Sequence, residues 1–205
     1  MKILIALSLI LSILLVYFYC TRTTRVIIQG EKYNVVASYK DREQAAQLLA
    51  TVNGNLINFM RYLREKYKQH HNADVREIVR SIITNYSPET IVENDPRFSM
   101  DTSYTVDKGR KILLCLRDKH APYTVVDYNT MMFVVLHEVG GHIGNYNGWQ
   151  HTTRFWTIFK FVLYEAANFG IYAPVDYERS PVVYCGMTID YQPLNDKTLP
   201  DMWKY

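Results

Sequence analysis

The sequence predicts an α+β domain, a small mixed sheet around one central apolar helix, preceded by a single N-terminal membrane-spanning helix. Three observations carry this reading. Residues 3–19, ILIALSLILSILLVYFY, hold no charge and stand between Lys2 and Arg22, as a spanning segment with cationic flanks does. Short β-branched and aromatic stretches alternate with longer segments whose apolar residues recur every three or four positions. The densest apolar helix, TMMFVVLHEVGGH, carries two histidines and a glutamate in its second half.

A cleaved leader would end in small residues, whereas this run ends in Tyr17, Phe18 and Tyr19 ahead of Cys20, which favours retention as an anchor. The chain therefore divides into a transmembrane segment over residues 1–25 and one domain over residues 26–205, long enough for a single core. Arg22, Arg25, Lys32 and Lys40 outweigh Lys2 and the amino terminus. A single-pass protein is expected, attached to the membrane by its N-terminal helix, with the domain facing the cytosol. The sequon Asn85-Tyr86-Ser87 is the one sign of the opposite orientation.

Within the domain, residues 26–39, VIIQGEKYNVVASY, read as a hairpin or two short strands broken at residues 29–32. Asp41 can cap a long helix that places Ala45, Leu49, Val52, Leu56, Phe59 and Leu63 on one side, with Gly54 a weak point and not a stop. After the polar KYKQHHNAD, Val75, Ile78, Val79 and Ile82 trace a second amphipathic helix. Adjacent His70 and His71, and His120 further on, are expected at the surface. Residues 85–98 are rich in turn formers, and residues 103–106 and 111–117 then make a hairpin around Asp107-Lys108-Gly109-Arg110. Asp127 or Asn129 starts the central helix, and residues 152–169 form another that Gly170 ends. Short strand-like pieces and proline turns close the domain.

Composition excludes several classes. With 48% hydrophobic and 21% charged residues the chain is neither disordered nor polytopic. A net charge of +3, spread along the sequence, gives no concentrated basic footprint, so nucleic acid is not an expected partner. Cys20, Cys115 and Cys185 are odd in number and widely spaced, which leads to an expectation of buried free thiols and a reducing compartment. The 17 tyrosines are expected mainly in packing, with Tyr172 or Tyr177 as candidates for stabilising an oxyanion.

The chemistry concentrates in LHEVGGHIGNYNGWQHTTRFW, residues 136–156. In His-Glu-x-x-His two imidazoles four residues apart share a helix face and can grip one zinc ion, while the glutamate handles the proton of the attacking water. Here His137 and His142 are five apart, and in a regular α-helix they would diverge by roughly 140°. Two local structures restore convergence. One is a π-bulge, which Gly140 and Gly141 make sterically easy. The other is a helix that ends after Val139, with His142 returning from a loop. His151, after a polar loop and directly before a helix, supplies a third imidazole. Three neutral imidazoles and an open position suit Zn2+, with Glu138 as the catalytic base for amide hydrolysis.

LHEVGGH followed by HTTRFW resembles the WLM and SprT-like zincin metalloproteases, in which the paired histidines are followed by a loop, a third histidine and a Phe-Trp or similar pair. Residues 102–117 before the motif and 155–187 after it are similar to metallopeptidases of large DNA viruses, whose motif is nearer LHELAH, so that Gly140 or Gly141 is the departure. The resemblance implies a zincin-like domain, the metal ligands His137, His142 and His151, the catalytic Glu138, and a peptide or protein substrate. It also implies that residues 111–117, KILLCLR, form a sheet edge to which an extended peptide adds. The alternative is a catalytically degenerate zincin-fold structural or interaction protein of a viral or host membrane. A DNA-repair protease is disfavoured by the membrane anchor and by the lack of a basic recognition segment.

Overall fold

Apolar residues at three- and four-residue intervals make α2 (Arg42–Tyr67) a helix of 26 residues, with Leu49, Val52, Leu56, Phe59 and Leu63 fully buried along one face. Gly54 lies on its exposed side and does not interrupt it. The computed structural model describes residues 2–20, 22–95, 97–99, 101–146, 148 and 151–204. Against α2 it packs α3 (Ala73–Asn85), whose first turn is capped by Asn72 accepting from the amides of Asp74 and Val75. A five-stranded sheet packs there too.

The sheet is mixed, as predicted. β1 (Thr23–Ile28) and β2 (Glu31–Val36) form the expected antiparallel hairpin. β3 (Ile91–Glu93) pairs in parallel with both β2 and β5 (Lys111–Leu114), and β4 (Tyr104–Val106) returns antiparallel to β5. The order β1-β2-β3-β5-β4 carries two corrections. Residues 85–98 are not all turn, because Ile91–Glu93 supply the central strand. Nor is β5 an edge: Ile112 and Leu114 are fully buried between β3 and β4, and the free edge on that side belongs to β4.

Arg117, fully buried just beyond β5, fastens these parts together. Its Nε meets Glu93 Oε1 at 2.8 Å and its Nη1 meets Asp41 Oδ1 at 2.6 Å. Asp41 thus holds the cap position of α2 while directing its carboxylate to Arg117 instead of the helix amides. A buried arginine is tolerated because it is paired.

The remaining elements build the other half of the core. α4 (Tyr128–Leu136) starts at Asp127, whose carboxylate accepts from the amide of Thr130, and is buried from Thr130 to Leu136. α5 (Thr153–Phe169) is capped by Thr152 and stopped by left-handed Gly170, as expected. β6 (Val182–Tyr184) and β7 (Met187–Ile189) form a separate hairpin, closed by Cys185 and Gly186, both at positive φ in a two-residue turn.

The cysteine expectation is overturned for Cys115 and Cys185, while the Cys20 side chain lies outside the described ones. Cys115 and Cys185 are buried as predicted, but they form a disulfide across 70 residues. The fold brings together two cysteines whose spacing carries no pairing signal, and such a bond suits an oxidising environment better than a reducing one. A cross-link closing a loop of this size stabilises by about 4 kcal/mol in the chain-entropy description. Replacing both cysteines by serine is therefore expected to lower the thermal midpoint by about 10 °C, as followed by circular dichroism against the disulfide-bonded protein.

The membrane expectation is also corrected. α1 (Lys2–Cys20) is helical where the sequence predicts a helix, over 19 residues. Yet among the described residues no helix is long and apolar enough to cross a membrane. At about 1.5 Å per residue, its 19 residues reach about 28 Å, short of a hydrocarbon core of about 30 Å. The single-pass span falls with this finding, and with it the membrane localisation and the cytosol-facing orientation.

Candidate metal centre

The histidine spacing is resolved by a change of helix type. α4 runs without a break into a π-helix, His137–Ile143, and the amide of Gly144 donates to the carbonyl of Val139 at 2.9 Å, a bond reaching back five residues. In such a turn the side chain five positions on returns to the same face. The ring centroids of His137 and His142 are 5.3 Å apart. Of the two expectations the bulge is the one realised, and the helix does not end at Val139.

The glycines are what allow it. Gly141 lies so close to α5 that a Cβ there would overlap the Phe155 ring, and a Cβ at Gly140 would press on Val162 at 3.0 Å. The bulged segment therefore packs flat on α5, where only a residue without a side chain fits.

His151 arrives from the start of α5 in a left-handed conformation, φ 55°, which histidine adopts more readily than most residues. Its ring lies 5.5 Å from each of the other two. One nitrogen from each of His137, His142 and His151 falls within 4.8 Å of the others, so that the three could hold a metal ion. A tetrahedral ion with bonds of about 2.0–2.1 Å needs donors about 3.3 Å apart, a distance within reach of small rotations of the rings. Beneath them Phe155, fully buried, places its ring 4.9 Å from His137, 4.9 Å from His142 and 4.8 Å from His151. Trp156 stacks on His151.

The electrostatics suit donors of electron pairs. Burial, with smaller contributions from the neighbouring rings, lowers the pKa of His137 to about 3. Burial, then His151 and Lys108, lowers that of His142 to about 4. Both imidazoles are thus neutral at neutral pH, the form that binds metals. Glu138 is 2% exposed, and burial pushes its pKa up to about 7 against the opposing pull of a hydrogen bond from Thr105. Its Oε2 accepts from Thr105 Oγ1 at 2.6 Å and lies 4.0 Å from His142 Nε2.

These groups open into a cleft of about 470 Å3, lined chiefly by apolar and aromatic side chains such as Phe133, Trp156, Phe159 and Ile189. All four site residues predicted from the sequence line this cleft together. Tyr172 and Tyr177 do not. Tyr172 Oη accepts from Gln192, and Tyr177 is fully buried against Phe133. The tyrosines that do line it are Tyr104, Tyr184 and Tyr191. Thr105 was not legible as a site residue, because its partner lies 33 positions away and only strand pairing brings the two together. His70 and His71 sit side by side where α2 gives way to α3, with ring centroids 4.5 Å apart, and His120 is exposed.

The chain is 29% identical over 194 residues to an uncharacterized protein of Acanthamoeba polyphaga mimivirus, an alignment covering 92% of this chain and 95% of that one. It is 38% identical over 86 residues to an uncharacterized protein of Invertebrate iridescent virus 6, covering 40% of this chain and 44% of that one. No family model matches the chain. No solved structure matches it.

Proposed function

We propose that this chain is a zinc-dependent peptidase in which His137, His142 and His151 hold the metal and Glu138 is the general base. The observation that carries the reading is the π-helix, which turns a five-residue spacing into one shared face and sets a third imidazole and a carboxylate beside it. The resemblance of LHEVGGH and HTTRFW to the WLM and SprT-like zincin metalloproteases supports the same assignment. The case for a degenerate scaffold rested on that spacing, which the bulge accommodates.

Three imidazoles form a donor set that zinc favours among the common divalent ions. The chemistry supplied by such an ion, when bound, is polarisation of the scissile carbonyl and acidification of the attacking water. The protein's own groups do the rest. Glu138 accepts the proton of the water and returns it to the departing amine, from a position 4.0 Å from His142 Nε2. Thr105 holds the carboxylate in one orientation. β4 is the outer strand of the sheet beside Glu138, so an extended peptide can add to the sheet there. The apolar lining of the cleft keeps competing water from the reacting groups.

The test is metal content together with cleavage. The purified chain is expected to carry close to one zinc per molecule and to cleave unstructured peptides. His151→Ala is expected to lose the zinc and the cleavage together while keeping its fold, because an exposed ligand is removed from an otherwise buried framework. Absence of metal from the unsubstituted chain after zinc supplementation would overturn the reading.

A further inference from the structure

The π-helix and β4 bring polar groups to the cleft, α4 and α5 bring Phe133, Val134, Trp156 and Phe159, and the β6–β7 hairpin faces them with Met187, Thr188 and Ile189, continued by Asp190 and Tyr191. Among the described residues no lysine or arginine lines the cleft, and the carboxylates that do are Glu138 and Asp190. Beside the hairpin an acidic substrate side chain would meet the Asp190 carboxylate and apolar surface, and a large apolar one would find matching surface.

The hairpin has little hold of its own on the body. Its two strands pair only with each other, and Tyr184 is the one strand residue that is buried. Its ties are gathered at the tip. Cys185, in the turn, is bonded to Cys115 just after β5. Tyr184 shares a hydrogen bond with Ser103, whose Oγ also accepts from the amide of Cys115 at 2.9 Å.

We propose that the β6–β7 hairpin is the specificity-determining wall of the cleft, admitting peptides with a large apolar side chain and excluding acidic ones, and that the Cys115–Cys185 bond clasps it in place. The proposal rests on the peptidase reading of the site. Reduction by a dithiol breaks the sulfur–sulfur bond, leaves Cys115 and Cys185 as thiols and converts the dithiol to its disulfide, after which the wall is held without a covalent tie, by Tyr184, the half-buried Val182 and Ile189, and the Tyr191 ring against Trp156.

The experiment measures peptide binding, so that it does not depend on turnover. The full chain carrying Glu138→Gln, in buffer containing zinc, is titrated into two labelled extended peptides that differ only by leucine or aspartate at one central position, with fluorescence anisotropy as readout. With the disulfide intact the leucine peptide is expected to bind at least about tenfold tighter. The preference is expected to fall towards unity with Cys115→Ser/Cys185→Ser and with Ile189→Asp, while zinc content stays unchanged. If the double serine variant does not fold, Ile189→Asp and the reduced protein decide. Equal binding of the two peptides, no binding of either, or a preference that survives Ile189→Asp overturns the proposal. Failure of the peptidase reading looks different: the unsubstituted chain would bind the leucine peptide with preference and cleave neither.

Discussion

Glu138→Gln is expected to abolish peptide cleavage, by a factor of about 10²–10⁴ in kcat, while leaving zinc stoichiometry intact. Glutamine preserves the shape of the side chain and its bond from Thr105, but it cannot take up the proton that the attacking water must lose. The same substitution should stabilise the metal-free protein, and the sign follows from where Glu138 titrates. Burial raises its pKa in the folded chain to about 7 from an ordinary 4.5, so the folded state favours the protonated acid. That contribution is fully present below pH 4.5 and is lost as pH rises through about 7. Above pH 7 the unsubstituted protein carries an unfavourable buried carboxylate, at a cost on the order of 3 kcal/mol.

Lowered His137 and His142 act in the other direction, losing stability as pH falls below their ordinary 6.5. They do so in both proteins, so the difference between the two isolates Glu138. Thermal midpoints measured in the presence of chelator should coincide near pH 4 and diverge above pH 7, with the glutamine variant higher. Coincidence at all pH values would mean that the carboxylate is already solvated in the metal-free protein.

What could be read from the sequence, and what could not, divides along the range of the interactions. The π-helix was legible because it is local. Two imidazoles five apart converge if the helix swells by one residue or if it ends after Val139, and Gly140-Gly141 supplies the room for the first, which is the one realised. His151 followed from its place just before a helix, and α2 from apolar residues recurring along a single face. Non-local facts left no such trace. β3 is three residues long, and its neighbours in sequence are turn formers, yet parallel pairing on both sides makes it the middle of the sheet. That insertion moves β5 inward and gives the free edge to β4, which is why Thr105 and not a residue of KILLCLR reaches the glutamate. Cys115 and Cys185 meet only because the C-terminal hairpin returns to β5. In the N-terminal helix the composition was read correctly, but the extent of apolar helix a bilayer requires was not met.

Gly141→Ala is expected to weaken zinc binding by at least about 100-fold, although it adds one methyl group and raises intrinsic helix propensity. The new Cβ would overlap the Phe155 ring. That ring has little room to withdraw, since it is fully buried and packs against the three imidazoles and Trp156. Either Phe155 tilts into the histidines or the π segment lifts away from α5 and carries His142 with it. A shift of about 1 Å in one ligand is large against metal bonds that tolerate about 0.2 Å. Competition with a chromophoric chelator gives the affinity, and far-ultraviolet circular dichroism shows whether the helices persist. Gly54→Ala provides the contrast: nothing lies within 4 Å of a Cβ at that exposed position of α2, so it should stabilise by about 1 kcal/mol and leave zinc binding unchanged. Unaltered affinity in Gly141→Ala would mean that the bulge tolerates a side chain, and that the close packing of His137–Ile143 on Phe155 is not what aligns the ligands.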